Sequence, residues 1–201
     1  MTTQNVPLFP LRTVLFPDGP LPLRVFEPRY LDMVSRCMQN GQPFAVVLLA
    51  DGPEAGTQDT VSTYTTGTLA TISDWYQGTD GLLGVTALGG DRFKLLNTRR
   101  EADGLNYGDI ELIEPEPRQA LPAEYVPMAG LLRAVIEDLG RLYEGIEKHY
   151  DDASWVGCRF AEILPMSLAE KQHCLEINDP LARLEFLQPL LRQLRSGQTS
   201  N

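Results

Sequence analysis

Residues 7–30 read P-L-F-P-L-R-T-V-L-F-P-D-G-P-L-P-L-R-V-F-E-P-R-Y, and this stretch decides how the rest of the chain is to be read. Six prolines (Pro7, Pro10, Pro17, Pro20, Pro22 and Pro28) interrupt short apolar runs. Each fixes φ and removes a backbone donor, and each biases the residue before it towards extended geometry. No long helix fits here. The segment reads as short extended pieces joined by tight corners, with Asp18-Gly19 as the central turn. Glu27-Pro28 then opens a helix, since proline suits the first helical position and an acid suits the N-terminal end of the dipole.

Working outward, the next hundred residues keep a β character. Phe44–Leu49 (F-A-V-V-L-L) is too short an apolar run for a helix and reads as a buried strand. Asp51–Thr60 has loop composition. Gly67–Trp75, Leu82–Leu88, Arg92–Thr98 and Tyr107–Glu114 read as further strands, with turns at Asp80-Gly81 and Gly89-Gly90. One early helix, Pro28–Gln39, carries Tyr30, Leu31, Val34, Cys37 and Met38 at helical spacing. Closely spaced strands with turn signals between them imply a small barrel or folded sheet.

The period changes at Glu114-Pro115-Glu116-Pro117, a stiff connector by composition. The sequence therefore divides into a β-rich part, 1–117, and a helical part, 118–201. Beyond the connector, Leu131, Leu132, Val135, Ile136, Leu139, Leu142, Tyr143 and Ile146 fall on one face of a single long helix. Ser154 is placed to cap the next helix, which Pro165 ends. Ser167-Leu-Ala-Glu170 has the spacing of a capping box. Asp179-Pro180 starts a last helix that presents Leu181, Leu184, Leu187, Leu191 and Leu194, with Pro189 expected to kink it.

Composition narrows the function. The net charge is −10, which disfavours phosphate backbones, so no nucleic-acid partner is expected. Arginines number 14 against three lysines, and arginine suits bidentate pairing with carboxylates inside a fold. Cys37, Cys158 and Cys174 have no metal-ligand spacing and read as small core residues. An odd cysteine count without a secretion signal fits a reducing, cytoplasmic setting. No apolar run is long enough for a membrane helix.

The text P-L-F-P-L-x-x-V-L-F-P…L-P-L-x-V-F-E-P-R-Y resembles the start of the N-terminal, substrate-binding domain of Lon proteases. The likeness continues through Gly67-Thr68…Ile72, Asp80-Gly81 and Gly89-Gly90-Asp91-Arg92-Phe93. It closes on L-P-M-S-x-x-E-K-Q…L-E-x-N-D-P-L-x-R-L at residues 164–184. The resemblance implies an α+β fold, a PUA-like β pseudo-barrel followed by a helical bundle. It also implies a module that binds unfolded or tagged protein segments, or docks on one specific partner as an adaptor. A small-molecule or RNA binder is a further alternative, since PUA-like barrels bind RNA elsewhere, though the acidic balance opposes RNA.

Chemistry is sparse. The 201 residues hold no G-x-x-x-x-G-K-[ST] loop and no G-x-S-x-G elbow, so neither an ATPase nor a protease centre is expected, nor any cofactor. His149 reads as a residue at a helix end. His173 and Cys174 are helical neighbours about 100° apart and do not face each other. Glu162, Glu170 and Glu176 are spread over separate helices and suggest no acid/base dyad. Catalytic and metal residues are accordingly none. Candidate binding residues are Phe26, Tyr30, Trp75 and Tyr76. At Glu27-Pro28-Arg29-Tyr30 helix-start signals account for each residue type better than recognition does, with Glu27 capping the helix, Arg29 pairing with a carboxylate and Tyr30 packing on the barrel. Trp75-Tyr76 adjoin a turn, where loops commonly bind, and Trp155 completes the aromatic group. The seam between the two parts is the expected groove.

Overall fold

A computed structural model describes residues 3–51, 62–78 and 81–198, with the side chains of Asp51 and of 193–198 outside the description. The chain forms two compact units, Met1–Pro115 and Glu116–Asn201. It is an α+β protein, a six-stranded sheet followed by helices.

The first unit contains β1 (Gln4–Leu11), β2 (Pro20–Val25), α1 (Pro28–Asn40), β3 (Phe44–Asp51), β4 (Ser62–Gln77), β5 (Leu83–Arg100) and β6 (Asn106–Leu112). The order is β2-β5-β4-β3-β1-β6, and β6 also pairs with β5. Five strands thus close a ring, and β2 is added on the first half of β5. β1 and β3 run parallel and the other neighbours antiparallel. Side chains alternate across a strand, so β1 and β3 feed two clusters. Leu8, Ala45, Val47, Phe93, Leu95 and Ile110 fill the ring. Phe9, Leu11, Phe44 and Val46 point the other way, against Tyr30, Met33, Val34 and Cys37 of α1.

Two expectations for this unit change. The segments Leu82–Leu88 and Arg92–Thr98 are one strand, because β5 continues through Gly89-Gly90. A Cβ at Gly89 would lie against Phe16 O and 3.2 Å from Leu15 Cγ, so the glycine answers crowding rather than a turn. The register slips there, between Thr68↔Arg92 and Ala70↔Gly89, and this bulge lets β5 serve β2 with its first half and β6 with its second. In α1 the buried stripe is Tyr30, Met33, Val34 and Cys37. Met33 replaces Met38, which is 41% exposed, and Leu31 is half-buried.

The second unit contains α2 (Val126–Asp138), α3 (Ala153–Ile163), α4 (Leu168–Glu176) and α5 (Pro180–Gln198). The expected long helix over 131–146 stops at Asp138. Gly140 takes φ +53°, a left-handed conformation that ends a helix, and a short 3-10 turn over Gly140–Tyr143 follows. Asp152, not Ser154, caps α3; its carboxylate accepts from the Ser154 N–H at 3.1 Å, and Ser154 Oγ donates to Glu116 at 2.5 Å. The Ser167–Glu170 capping box forms with both reciprocal bonds. Asp179 accepts from Leu181 N at 2.9 Å, and α5 runs on through Pro189. Leu184, Leu187 and Leu191 are buried as expected, and Leu181 is half-buried. Of the expected Asp51–Thr60 loop, Asp51 ends β3 and 52–60 lie outside the described residues, as do the Asp80 half of the Asp80-Gly81 turn and the Leu194 side chain.

Candidate functional site

Beyond the ring, the first unit extends as a three-stranded flap. β3 reaches β4 only as far as Ala70, so Thr71–Gln77 of β4 pairs with β5 alone, and β2 lies on the far side of β5. The flap has two outer edges. On the β4 edge the N–H of Trp75 is taken by its neighbour, Asp74 Oδ1, at 2.8 Å. On the β2 edge stand Pro20 and Pro22, which have no N–H to offer.

The four candidate residues all fall in this unit, in different settings. Trp75 and Tyr76 are 59% and 51% exposed, but consecutive strand residues face opposite sides, so they do not form one patch. Tyr76 lies over Gly84, where a Cβ would come within 2.6 Å of its Cε1; the glycine makes room for the ring. Trp75 is in register with Val85, which is in register with Leu23 of β2, so one face carries the row Trp75–Val85–Leu23. Phe26, 60% exposed, follows the end of β2. Tyr30 is buried and stacks on Phe9 with ring centroids 4.2 Å apart.

Phe26 and Tyr30 share a cleft of about 210 Å³ lined by Phe9, Pro10 and Leu11 of β1, Pro22–Val25 of β2, and Glu27. The Phe9–Tyr30 stack contributes aromatic surface and Phe26 an exposed ring. Glu27 does not cap α1 through its side chain, contrary to expectation; it pairs with Arg29 at 2.8 Å. Arg29 also donates to Gly104 O at 2.9 Å and lies over the Tyr30 ring at 4.8 Å. These contacts fix the first turn of α1 and hold Tyr30 in place. Trp155, grouped with Trp75 by sequence, is buried in the second unit, edge-on to Tyr150.

A larger concavity, about 700 Å³, lies in the second unit. Arg118, Arg133, His149 and Tyr150 line it together with Asp151 and Asp152. Arg118 Nη2 stands 3.4 Å from His149 Nε2, and Arg133 covers the Tyr150 ring at 4.6 Å. Burial raises the Tyr150 phenol pKa, and Arg133 offsets part of that rise. Two arginines face two aspartates here, so the site carries no dominant charge. Sequence reasoning missed it, since Arg118 and Arg133 are far apart in the chain and without a motif. His149 lies in an irregular segment rather than at a helix end.

Nothing here resembles a nucleophile centre. Burial pushes the Cys174 thiol up to about 11 and raises Cys37 as well, so both stay protonated. His173 packs edge-on against Phe186 at 4.9 Å. Among the described residues no group of three or more His, Cys, Asp or Glu could hold a metal, and no helix is long and apolar enough to cross a membrane.

A closed β ring with an added edge strand, followed by a helical unit, is the α+β architecture of Lon N-terminal domains. The profile of the ATP-dependent protease La (LON) substrate-binding domain matches residues 5–193, and the chain belongs to that family. That domain is non-catalytic in itself. A Lon N-terminal domain protein from Xanthomonas campestris, solved by crystallography, superposes with a TM-score of 0.74 at 34% identity, covering 92% of this chain and 98% of that one. The N-terminal domain of a Mycobacterium avium complex Lon protease shares the fold at 14% identity and TM-score 0.63, over 92% and 97% of the two chains. Lon protease 2 of Herpetosiphon aurantiacus is 26% identical over 96% of this chain and 24% of its own length. Protein cereblon of Xenopus tropicalis is 29% identical over 64% of this chain and 27% of its own. The chain therefore spans about a quarter of the length of these curated relatives.

Proposed function

We propose that this chain is a non-catalytic protein-binding module that holds exposed apolar segments of unfolded or tagged proteins, working in a reducing, cytoplasmic setting. The observation that carries this reading is the apolar surface of the flap. Phe26 and Trp75 are the two most exposed large apolar side chains among the described residues, and Phe26 adjoins a cleft already lined with aromatic and aliphatic groups. Exposed apolar groups beside a preformed cleft are what an interaction site requires. The net charge of −10 argues against nucleic acid as the partner.

The test is a titration against a permanently unfolded, reduced and carboxymethylated protein, read by tryptophan fluorescence without ATP. Only two tryptophans are present, and Trp155 is buried, so the signal reports on Trp75. A saturable change in Trp75 emission is expected, and calorimetric titration of Trp75→Ala, which lacks that reporter, should show binding weakened several-fold; no binding of the parent would remove this reading. A second reading is an adaptor that docks on one dedicated partner. The likeness to cereblon, a relative not named as a protease, favours it. Capture of one folded partner, with no affinity for unfolded chains, would establish it.

A further inference from the structure

We infer that β2 takes up an extended peptide as an additional strand, with the peptide supplying the N–H donors and one apolar side chain entering the Phe9–Tyr30 cleft. The inference rests on the protein-binding reading and specifies its mode. β2 is the terminal strand of the sheet, bonded only to β5. Its register fixes which residues point where. Gly89 N donates to Gly19 O at 2.9 Å, and the pairs Leu21↔Ala87, Leu23↔Val85 and Val25↔Leu83 continue that parity. In an antiparallel ladder alternate residues turn their backbone groups towards the partner, so Leu21, Leu23 and Val25 face β5. Pro20 and Pro22 have the outward parity, and of the two Pro22 is exposed while Pro20 is buried.

A proline there presents a carbonyl and no N–H. Pro10 of β1 lines the far side of the cleft but is buried and in register with Val47 of β3, so the exposed acceptor beside the cleft is Pro22 of β2. Donor and acceptor complementarity selects the occupant. A second copy of β2 is a poorer occupant, because of its outward residues only Arg24 carries an N–H and Pro20 and Pro22 offer none. A backbone with unblocked N–H groups on one side satisfies the edge, as in strand addition generally. The opposite edge of the flap is not equivalent, since Asp74 already occupies the Trp75 N–H. The cleft volume of about 210 Å³ admits one large side chain, so the peptide needs a single aromatic or aliphatic residue at that register.

The experiment uses the whole chain and a capped seven-residue peptide in which threonine alternates with phenylalanine and valine. Two analogues carry backbone N-methyl groups, one on each alternate set of residues. Strand addition predicts that one analogue binds at least about tenfold more weakly and that the other matches the parent peptide, since only one edge donates. Phe26→Ser should weaken all three peptides while preserving that difference. Equal affinities, or equal losses, for the two analogues would overturn strand addition while leaving protein binding intact. So would failure of the parent peptide to bind where the carboxymethylated protein binds. If neither binds, the protein-binding reading itself falls.

Discussion

The two units differ in the largest side chains they bury completely. In the first, the largest wholly buried groups are Phe16, Phe44, Phe93, Leu8 and Met33; in the second they are Arg159, Arg183 and Tyr143. A closed ring satisfies its backbone through the ladder and can fill its inside with apolar volume. Short helices joined by irregular segments leave carbonyls at every helix end, and these need donors. Arg183 supplies them. Its Nε donates to Cys174 O at 2.8 Å and its Nη2 to Ile177 O at 2.5 Å, closing the end of α4, while both terminal nitrogens hold Glu116. Burial alone would lower its pKa, but the Glu116 hydrogen bond keeps it above the ordinary arginine value. Arginine here takes the part that hydrogen-bonded strands play in the first unit.

The sharpest way to break the contrast is Arg183→Met. It fills similar space but takes the guanidinium away from two carbonyls and from Glu116, which keeps its Ser154 hydrogen bond. Removing one partner of a buried pair costs about 3–5 kcal/mol. Urea unfolding followed by far-UV circular dichroism should show a loss of that size in the helical signal. A loss below about 1 kcal/mol would mean that water replaces the guanidinium, so that the second unit does not depend on it.

Local features of this architecture were legible in the sequence, and non-local ones were not. The Ser167 capping box and the Asp179-Pro180 start depend on neighbours within one turn, and both formed. That arginines pair internally could be anticipated from composition, but not that Arg183 would meet Glu116, 67 residues away. Leu139, Leu142 and Tyr143 keep a helical period, so the long helix was a reasonable reading; Gly140 overrode it with one left-handed residue. Gly89-Gly90 looked like a strand end because glycines punctuate sequences, yet Gly89 is there to let Phe16 O approach. Phe26, Tyr30 and Trp75 could be chosen as aromatic, whereas the cleft depends on where β6 stops pairing with β1, which no local pattern records.

Glycine itself sharpens the comparison. Gly67 on β4 faces Val46 O, and an added Cβ would stand 2.6 Å from Phe93 Cζ and 2.8 Å from Val47 Cγ1. Gly67→Ala should destabilise the first unit by about 1–3 kcal/mol, as overpacking does. A Cβ added at Gly130 in α2 would meet nothing within 4 Å, so Gly130→Ala should stabilise by up to about 1 kcal/mol through helix propensity. Thermal unfolding of both variants tests this. Equal signs would show that packing does not separate the two units as argued.

The buried charges also predict a pH response confined to the second unit. Burial raises the Glu162 pKa; Arg159 at 3.0 Å, the Tyr143 hydroxyl and Lys171 offset part of that rise. The folded state therefore binds the Glu162 proton more tightly than the unfolded chain does. This contribution is fully present below the ordinary carboxylate pKa and is lost as pH rises through the raised value. The stability of the parent relative to Glu162→Gln should accordingly fall as pH rises above the ordinary glutamate value of about 4.3. A flat difference would show that Arg159 and Lys171 cancel the burial cost in full.

The smallest effect on stability, and the one that bears most on function, belongs to the β2 edge. Pro22→Val adds an N–H to the outer side of β2 while keeping an apolar residue well suited to a strand. Pro22 is exposed, so unfolding free energy should move by no more than about 0.5 kcal/mol. Association should change instead. Edge prolines blunt strand-to-strand pairing between copies, and an edge given a donor at residue 22 can exchange bonds with its twin. Sedimentation of the variant should become more concentration-dependent than that of the parent, and a competing strand peptide should reverse the change. Unaltered sedimentation would mean that something other than the missing N–H protects this edge. The contrast between a backbone-satisfied first unit and an arginine-satisfied second would then stop short of β2.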